Sequence, residues 1–238
     1  MKATAEDPGS RIEISKNGVT RTLVATIVVL HLLNIPAVIF RYAWPWEGAR
    51  HYIAFFSVAG EGKLPTFYSG VALLAAAALL GLIAAHAQSR GGFRLHWAGL
   101  GGIFALMAMD EMVAIHELSS GVLRSYFGIT GGPLYHAWVI PALVFLVFLA
   151  LAYFRFLAAL PARSRALFVT AGAIYVAGAL GMEMAGSAYS AAHGQDLAYG
   201  VLSTIEEVLE MSGIVVFLYG LMDHLEHHAS ESSIRVVG

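Results

Sequence analysis

Seven carboxylates and one histidine stand on segments whose other residues are apolar. Asp110, Glu111, His116 and Glu117 end one such run, Glu183 lies in a second, and Glu206, Glu207 and Glu210 lie in a third. A charged side chain in hydrocarbon is expensive, so such residues face a bundle interior, find partners and mark functional sites. On a helix Glu206 stacks on Glu210, and Glu207 stands three before Glu210. Like charges that close cannot all ionise in a low-dielectric bundle without a cation or a shared proton between them. Two chemistries are open to them: a metal held by carboxylates and imidazole, or acids that hold and pass protons.

For the metal, carboxylates and histidines projected inward from several helices are the ingredients of di-iron and di-manganese sites. Oxygen-rich ligation with imidazole suits iron, manganese or zinc. The expected metal ligands are Asp110, His116, Glu117, Glu183, Glu206 and Glu210, with Glu111 and Glu207 as supporting or proton-carrying catalytic groups. The pattern departs from a ferritin-like Glu-x-x-His pairing, because Val113 occupies the position three before His116. His136 and His193 are further candidate ligands. A sulfur-based copper(I) site could use Met109, Met112 and His116 on one face, with Met182, Met184 and Met211 nearby in sequence. It ranks behind, since methionine is a common core filler. On an unbroken helix Glu117 falls about 20° from Asp110 and His116 about 120° to one side, while Glu111 falls about 100° to the other. That phase groups Asp110, His116 and Glu117 and sends Glu111 to a helix contact.

The elements that must position these groups are membrane spans. The chain has 238 residues, 58% hydrophobic and 13% charged, against about 25% charged in soluble proteins. Six segments approach the ~20 apolar residues a span needs: about 22–41, 67–87, 96–118, 134–157, 166–190 and 198–222. The fold expected is an all-α membrane bundle of six helices. A 1–21 N-terminal segment precedes the 22–222 bundle and a 223–238 tail comes after it. The polar first 20 residues are too long and acidic for a signal-peptide n-region, so the first run reads as a retained span. Tyr52–Val58 reads as a short interfacial helix, and Pro36 as a kink in the first span.

Basic residues set the orientation. With the N-terminus cytoplasmic, Lys2, Arg11, Lys16, Arg21, Arg90, Arg94, Arg155, Arg163, Arg165 and Arg235 share that side. Arg41, Arg50, Lys63 and Arg124 lie opposite, so both termini are expected in the cytoplasm. All seven carboxylates then come to one depth, in the outer half of the bundle. His31 is expected mid-span, away from that layer and hydrogen-bonded in the core. His224, Glu226, His227 and His228 are expected in a solvated tail.

Cysteine is absent, which excludes disulfides, thiolate metal sites and cysteine nucleophiles. No basic block suggests a nucleic-acid partner. There is no G-x-S-x-G, H-E-x-x-H or P-loop. The run Met109-Asp110-Glu111, His116-Glu117, then Glu183, then Glu206-Glu207 with Glu210-Met211 and Gly213, resembles uncharacterised bacterial multi-pass membrane proteins. The likeness extends to Pro65-Thr66-Phe67-Tyr68-Ser69. It implies a multi-pass protein of a bacterial inner membrane and assigns no catalytic role. The function expected from the residues is a metal-dependent membrane oxidoreductase or hydrolase acting on a lipid or other hydrophobic substrate. The alternatives are a cation or proton transporter, and a non-catalytic subunit that associates with itself or with a membrane complex.

Overall fold

Apolar runs with no water to satisfy their backbone pair N–H with C=O internally, as helices. The computed structural model describes residues 12–60, 62–87, 93–228 and 234–237, and the fold is helical. Helix α1 (Lys16–Val38) begins where Ser15 Oγ accepts the Gly18 N–H at 3.1 Å, an N-cap. It runs through Pro36 into a π-helical turn, Ile39–Ala43. Near the proline the Tyr52 hydroxyl donates to the Leu33 carbonyl at 2.7 Å. Short α2 (Arg50–Phe56) stands where an interfacial helix is expected. Then come α3 (Leu64–Ala87), α4 (Arg94–Val113), α5 (Ile115–Phe127), α6 (Val139–Ala159) and α7 (Ala162–Val176). A second π-helical turn, Ala177–Met182, leads to α8 (Glu183–His193) and α9 (Leu197–His228). Ile12–Ser15 and Ile234–Val237 pair as two parallel strands, Ile12 opposite Ile234, which an all-α expectation omits. Lys2, Arg11 and Arg90, used for the orientation, lie outside the described residues.

Among the described residues, Lys16–Ala43, Leu64–Ala87, Val139–Ala159 and Ala162–His193 are long and apolar enough to cross a membrane. Helices α4 and α5 pass the same test only as a pair, bent by 79°. The single helix expected over 96–118 is therefore corrected to two. Helix α9 also continues past the expected end at 222, to His228.

Helix α9 is the axis of the bundle and packs on α1, α3, α7 and α8. Close approach to α7 needs Gly213: a Cβ there would sit 2.8 Å from the Tyr175 backbone N. One turn outward, a Cβ on Gly178 would meet Glu206 O and Glu210 Cγ at 2.9 Å, so the π-helical turn lies directly on the acidic stretch of α9. With the end at the strand pair called inner and the opposite end outer, the main core fills the inner half, where Trp97, Phe156, Phe168, Phe217, Leu221 and Met222 interlock with Leu80. Trp97 meets Phe156 edge-on at 4.8 Å, and Phe104 stacks on Phe217 at 4.5 Å. Helix α6 buries only Val139 and Phe156, near its two ends, and exposes Val144, Phe145, Val147, Phe148, Leu151 and Phe154.

Gly213→Ala is expected to separate α7 from α9 and cost roughly 1–3 kcal/mol. Gly172→Ala, with nothing within 4 Å of its new Cβ, gains helix propensity instead. Thermal melts of both variants in detergent check this, and equal melting temperatures would contradict the packing.

Candidate functional site

The break between α4 and α5 is built by Asp110. Ala114 takes a left-handed conformation, φ +59°, which costs a non-glycine residue about 1 kcal/mol or more. The Asp110 carbonyl accepts the Ala114 N–H at 2.7 Å. Its carboxylate then turns onto the new helix, where Oδ1 accepts the His116 N–H at 2.9 Å and Oδ2 lies 2.7 Å from His116 Nδ1. Asp110 thus caps α5 and orients the His116 ring. The bend cancels the unbroken-helix phase that grouped Asp110 with Glu117. Glu117 lies in the first turn of α5 and is exposed.

Glu183 gathers the next groups. Its Oε1 accepts from His136 Nδ1 at 2.9 Å and from Trp138 Nε1 at 2.8 Å. The Trp138 ring also meets the His116 ring, centroids 4.6 Å apart, so Trp138 links the two imidazoles. Ser187, one turn along α8, accepts the His136 N–H at 3.0 Å and donates to the Gly132 carbonyl at 3.2 Å. Ser120 on α5 accepts the Trp138 N–H at 3.3 Å. The 128–138 connection is thereby fastened over the outer end of the bundle. Neither Trp138 nor Ser187 carries a sequence signal that separates it from an ordinary interfacial residue.

The Glu183 carboxylate lies at hydrogen-bonding range of Glu206. Two carboxyl groups in that relation require a proton or a cation between them. From Glu206 the acids descend along α9 through Glu207 to Glu210, which is in electrostatic reach of Glu111, Glu206, Glu207 and Glu183. Tyr175 on α7 closes the lower end, within the field of Glu210, Glu111, Glu207 and Asp110. Glu111 therefore faces the shared interior. Lys63, before α3, is half-buried and donates to the Ala59 carbonyl. Burial lowers its ammonium pKa and nearby Arg41 adds to that, against the opposing pull of Glu207 and Glu117.

The structure thus brings Asp110, Glu111, His116, Glu183, Glu206, Glu207, Glu210 and His136 to one end of the bundle. It leaves His193 exposed and stacked on Tyr189 at 4.6 Å. Met112 packs where a Cβ on Gly70 would sit, and Met211 is fully buried with Ile27 and Val215, as apolar fillers are. The donor set suits a hard or borderline divalent cation, and both imidazoles are oriented through Nδ1 by a carboxylate, the usual support for a ligating histidine. Among the described residues, Ser69 Oγ and His31 Nε2 are buried polar atoms without a hydrogen-bond partner.

Among the described residues, a tighter acidic and histidine group lies at the opposite end. Donor atoms of Asp223, Glu226 and His227 fall within 4.8 Å of one another. These residues occupy the last turns of α9, and His224 beside them hydrogen-bonds Ser164 at 3.0 Å and packs on Trp97. Glu226 and His227 are exposed, as expected of a solvated tail, whereas His224 is half-buried and the segment is the helical end of α9. Lys16 fills this group: its Nζ lies 2.7 Å from both Asp223 Oδ1 and Glu226 Oε2. Arg163 Nε adds a bond to Asp223 Oδ2 at 2.7 Å. Two acids and two cations neutralise one another, joining the inner ends of α1, α7 and α9. Burial of Asp223 would raise its pKa, but the hydrogen bonds from Arg163 and Lys16 outweigh this and hold it below the ordinary carboxylate range.

The chain belongs to the family described as Domain of unknown function (DUF8692), whose family model matches residues 22–225. That span takes in both the outer acids and Asp223. No curated protein and no solved structure matches the chain.

Glu183→Ala leaves the His136 and Trp138 donors unpaired, a loss of roughly 2 kcal/mol or more, whereas Glu183→Gln keeps an acceptor. Hydrogen exchange over 128–138 should rise strongly in the first variant and little in the second; unchanged exchange in both would refute the fastening. Because the Asp223 pKa is depressed on folding, its contribution is complete above the unfolded value and is lost as pH falls through the folded one. The melting temperature of Asp223→Asn should therefore fall less steeply than wild type between about pH 5 and pH 2. Parallel acid limbs would show that the pair adds nothing.

Proposed function

We propose that the chain is an integral membrane metalloprotein with a carboxylate and histidine site for a divalent metal in the outer half of a six-span bundle. In this reading α4 with α5 forms one span and α9 the last, both termini are cytoplasmic, and the membrane is a bacterial inner membrane. One observation carries the metal assignment: His116 and His136 are each oriented through Nδ1 by a carboxylate at the head of a ladder of acids. In the neutral ring that leaves Nε2 as the lone-pair nitrogen, and the ladder needs a positive charge to relieve its repulsion. Glu206, Glu210 and Glu183 would hold the metal with the two imidazoles. Asp110 positions His116, while Glu207 and Glu111 hold protons. Iron, manganese or zinc fits this donor set. Bound there, the metal would activate water or dioxygen for a hydrolase or oxidoreductase acting on a lipid or other hydrophobic molecule. The exposed apolar length of α6 gives such a substrate a side to approach from the bilayer.

The Glu183 and Glu206 pair also suits a proton or cation transporter. Against transport stands the inner half, where Leu80, Trp97, Phe217, Leu221 and Met222 close the bundle with apolar side chains. A polar cluster closed on one side by apolar packing serves binding and chemistry better than passage.

Purified, unchelated protein should contain about one or two equivalents of iron, manganese or zinc, and Glu206→Ala should lose most of it while keeping its fold. Folded wild type with only trace metal would overturn the reading. Cation-driven flux in vesicles would favour the transporter.

A further inference from the structure

Helix α1 brings no carboxylate to the bundle, yet it lies directly against the acidic stretch of α9. Three contacts set their antiparallel register. A Cβ on Gly200 would meet Val38 Cγ1 at 3.0 Å. Asn34 Nδ2 donates to Thr204 Oγ1 at 3.0 Å. Ile27 and Met211 belong to one buried cluster. Along α1 the residues 27, 31, 34 and 38 fall within about 60° of arc, and along α9 so do 200, 204, 207 and 211. Val38 meets Gly200, Asn34 meets Thr204 and Ile27 meets Met211, so the remaining pair on the two faces is His31 with Glu207. The expectation that His31 lies apart from the acidic layer is thereby corrected: it is level with the middle of the ladder.

The chemistry of the ring is also set. His31 Nδ1 lies 2.8 Å from the Ile27 carbonyl. A carbonyl only accepts, so Nδ1 carries the hydrogen and the neutral ring has its lone pair on Nε2. That Nε2 is buried and has no hydrogen-bond partner among the described residues. A backbone carbonyl on one imidazole nitrogen is a common support for a metal on the other. An independent observation points to the same place. Ser69 on α3 is 3% exposed, and its Oγ has no partner. It lies between Tyr68, which packs on the Ile27 and Met211 cluster, and Gly70, which packs on Met112 beside Glu111. By helical phase it is centred on the buried face of α3. An acceptor from α1 and a hydroxyl from α3 therefore reach the level of Glu207 with no hydrogen-bond partner among the described residues.

We infer that His31 is a metal ligand, presenting Nε2 from α1 opposite Glu207, with Ser69 hydrogen-bonding a water on the same ion. This rests on the metal site of the proposed function and extends that site to α1 and α3.

Zinc alone is the probe. Purified protein is stripped, reloaded with zinc in detergent, and measured by competition titration and by X-ray absorption, which counts imidazole ligands. His31→Gln should weaken zinc binding by at least about tenfold and remove one imidazole from the count. Asn34→Ala loosens the same helix contact one turn outward and should leave the count unchanged. In His116→Ala/His136→Ala one imidazole should persist, so the inference does not depend on the folding of the His31 variant. Unchanged affinity and count in His31→Gln, or no imidazole in the double variant, would overturn the assignment while leaving the acidic metal site standing. Wild type that binds no zinc sensitive to Glu206→Ala would overturn both.

Discussion

The Glu183 carboxylate is the interaction on which the outer end depends. One oxygen takes hydrogen bonds from His136 and Trp138, and the group lies against Glu206. It joins the 128–138 connection to α8, α8 to α9, and through Trp138 the two imidazoles to each other. Its placement is set by the π-helical turn before it. Tight seating of that turn on α9 at Gly178 carries Glu183 to the level of Glu206. Such a turn inserts a residue and re-aims the side chains C-terminal to it, and π-bulges are frequent at functional sites.

The two halves of the bundle solve the burial of charge differently. At the inner end Asp223 and Glu226 are neutralised within the chain by Lys16 and Arg163. At the outer end the acids outnumber nearby cations, and Lys63 stands at their edge. One helix, α9, carries both arrangements, separated by Ile214, Phe217, Leu218 and Leu221. The inner group looks more like a preformed metal site by distance, but it already holds its positive charges. The outer group is looser and, among the described residues, has fewer cations than acids. Neutrality, more than the closeness of the oxygens, separates a structural ion pair from a candidate binding site.

Much of this was readable in the sequence because depth is a property of each segment alone. Counting residues from the end of a span levels Asp110, Glu183 and Glu206 without knowledge of neighbours. The unreadable part depends on pairs of elements or on local backbone. The break at Ala114 has no glycine or proline to announce it; it arises because Asp110 caps the helix after it. The same break moved Glu117 outward against its helical phase, while Glu111, on α4 before the break, is inward because Glu210 and Tyr175 lie on that side of α4. His31 was misplaced for the other reason. Its distance from the acids is a question of α1 against α9 register, and no pattern within α1 reveals that. His136 stood out only by depth, while Trp138, Ser187 and Ser69 are ordinary residue types whose roles come from the groups that face them.

The ion-pair group at the inner end has a mechanical meaning. Lys16, Arg163 and Asp223 pin α1, α7 and α9 together at one end, and at the other end the connections 44–63 and 128–138 are longer than any at the pinned end. Helices fixed at one end move as levers. Over the length of α1 a tilt of about 5° displaces the far end by about 3 Å. A small rocking about the Asp223 pin would therefore leave that end of the bundle almost still, yet it would shift His31, about two-thirds of the way along α1, by about 2 Å against Glu207. The same knot that holds the base together turns the acidic end into the wide end of a pair of tongs.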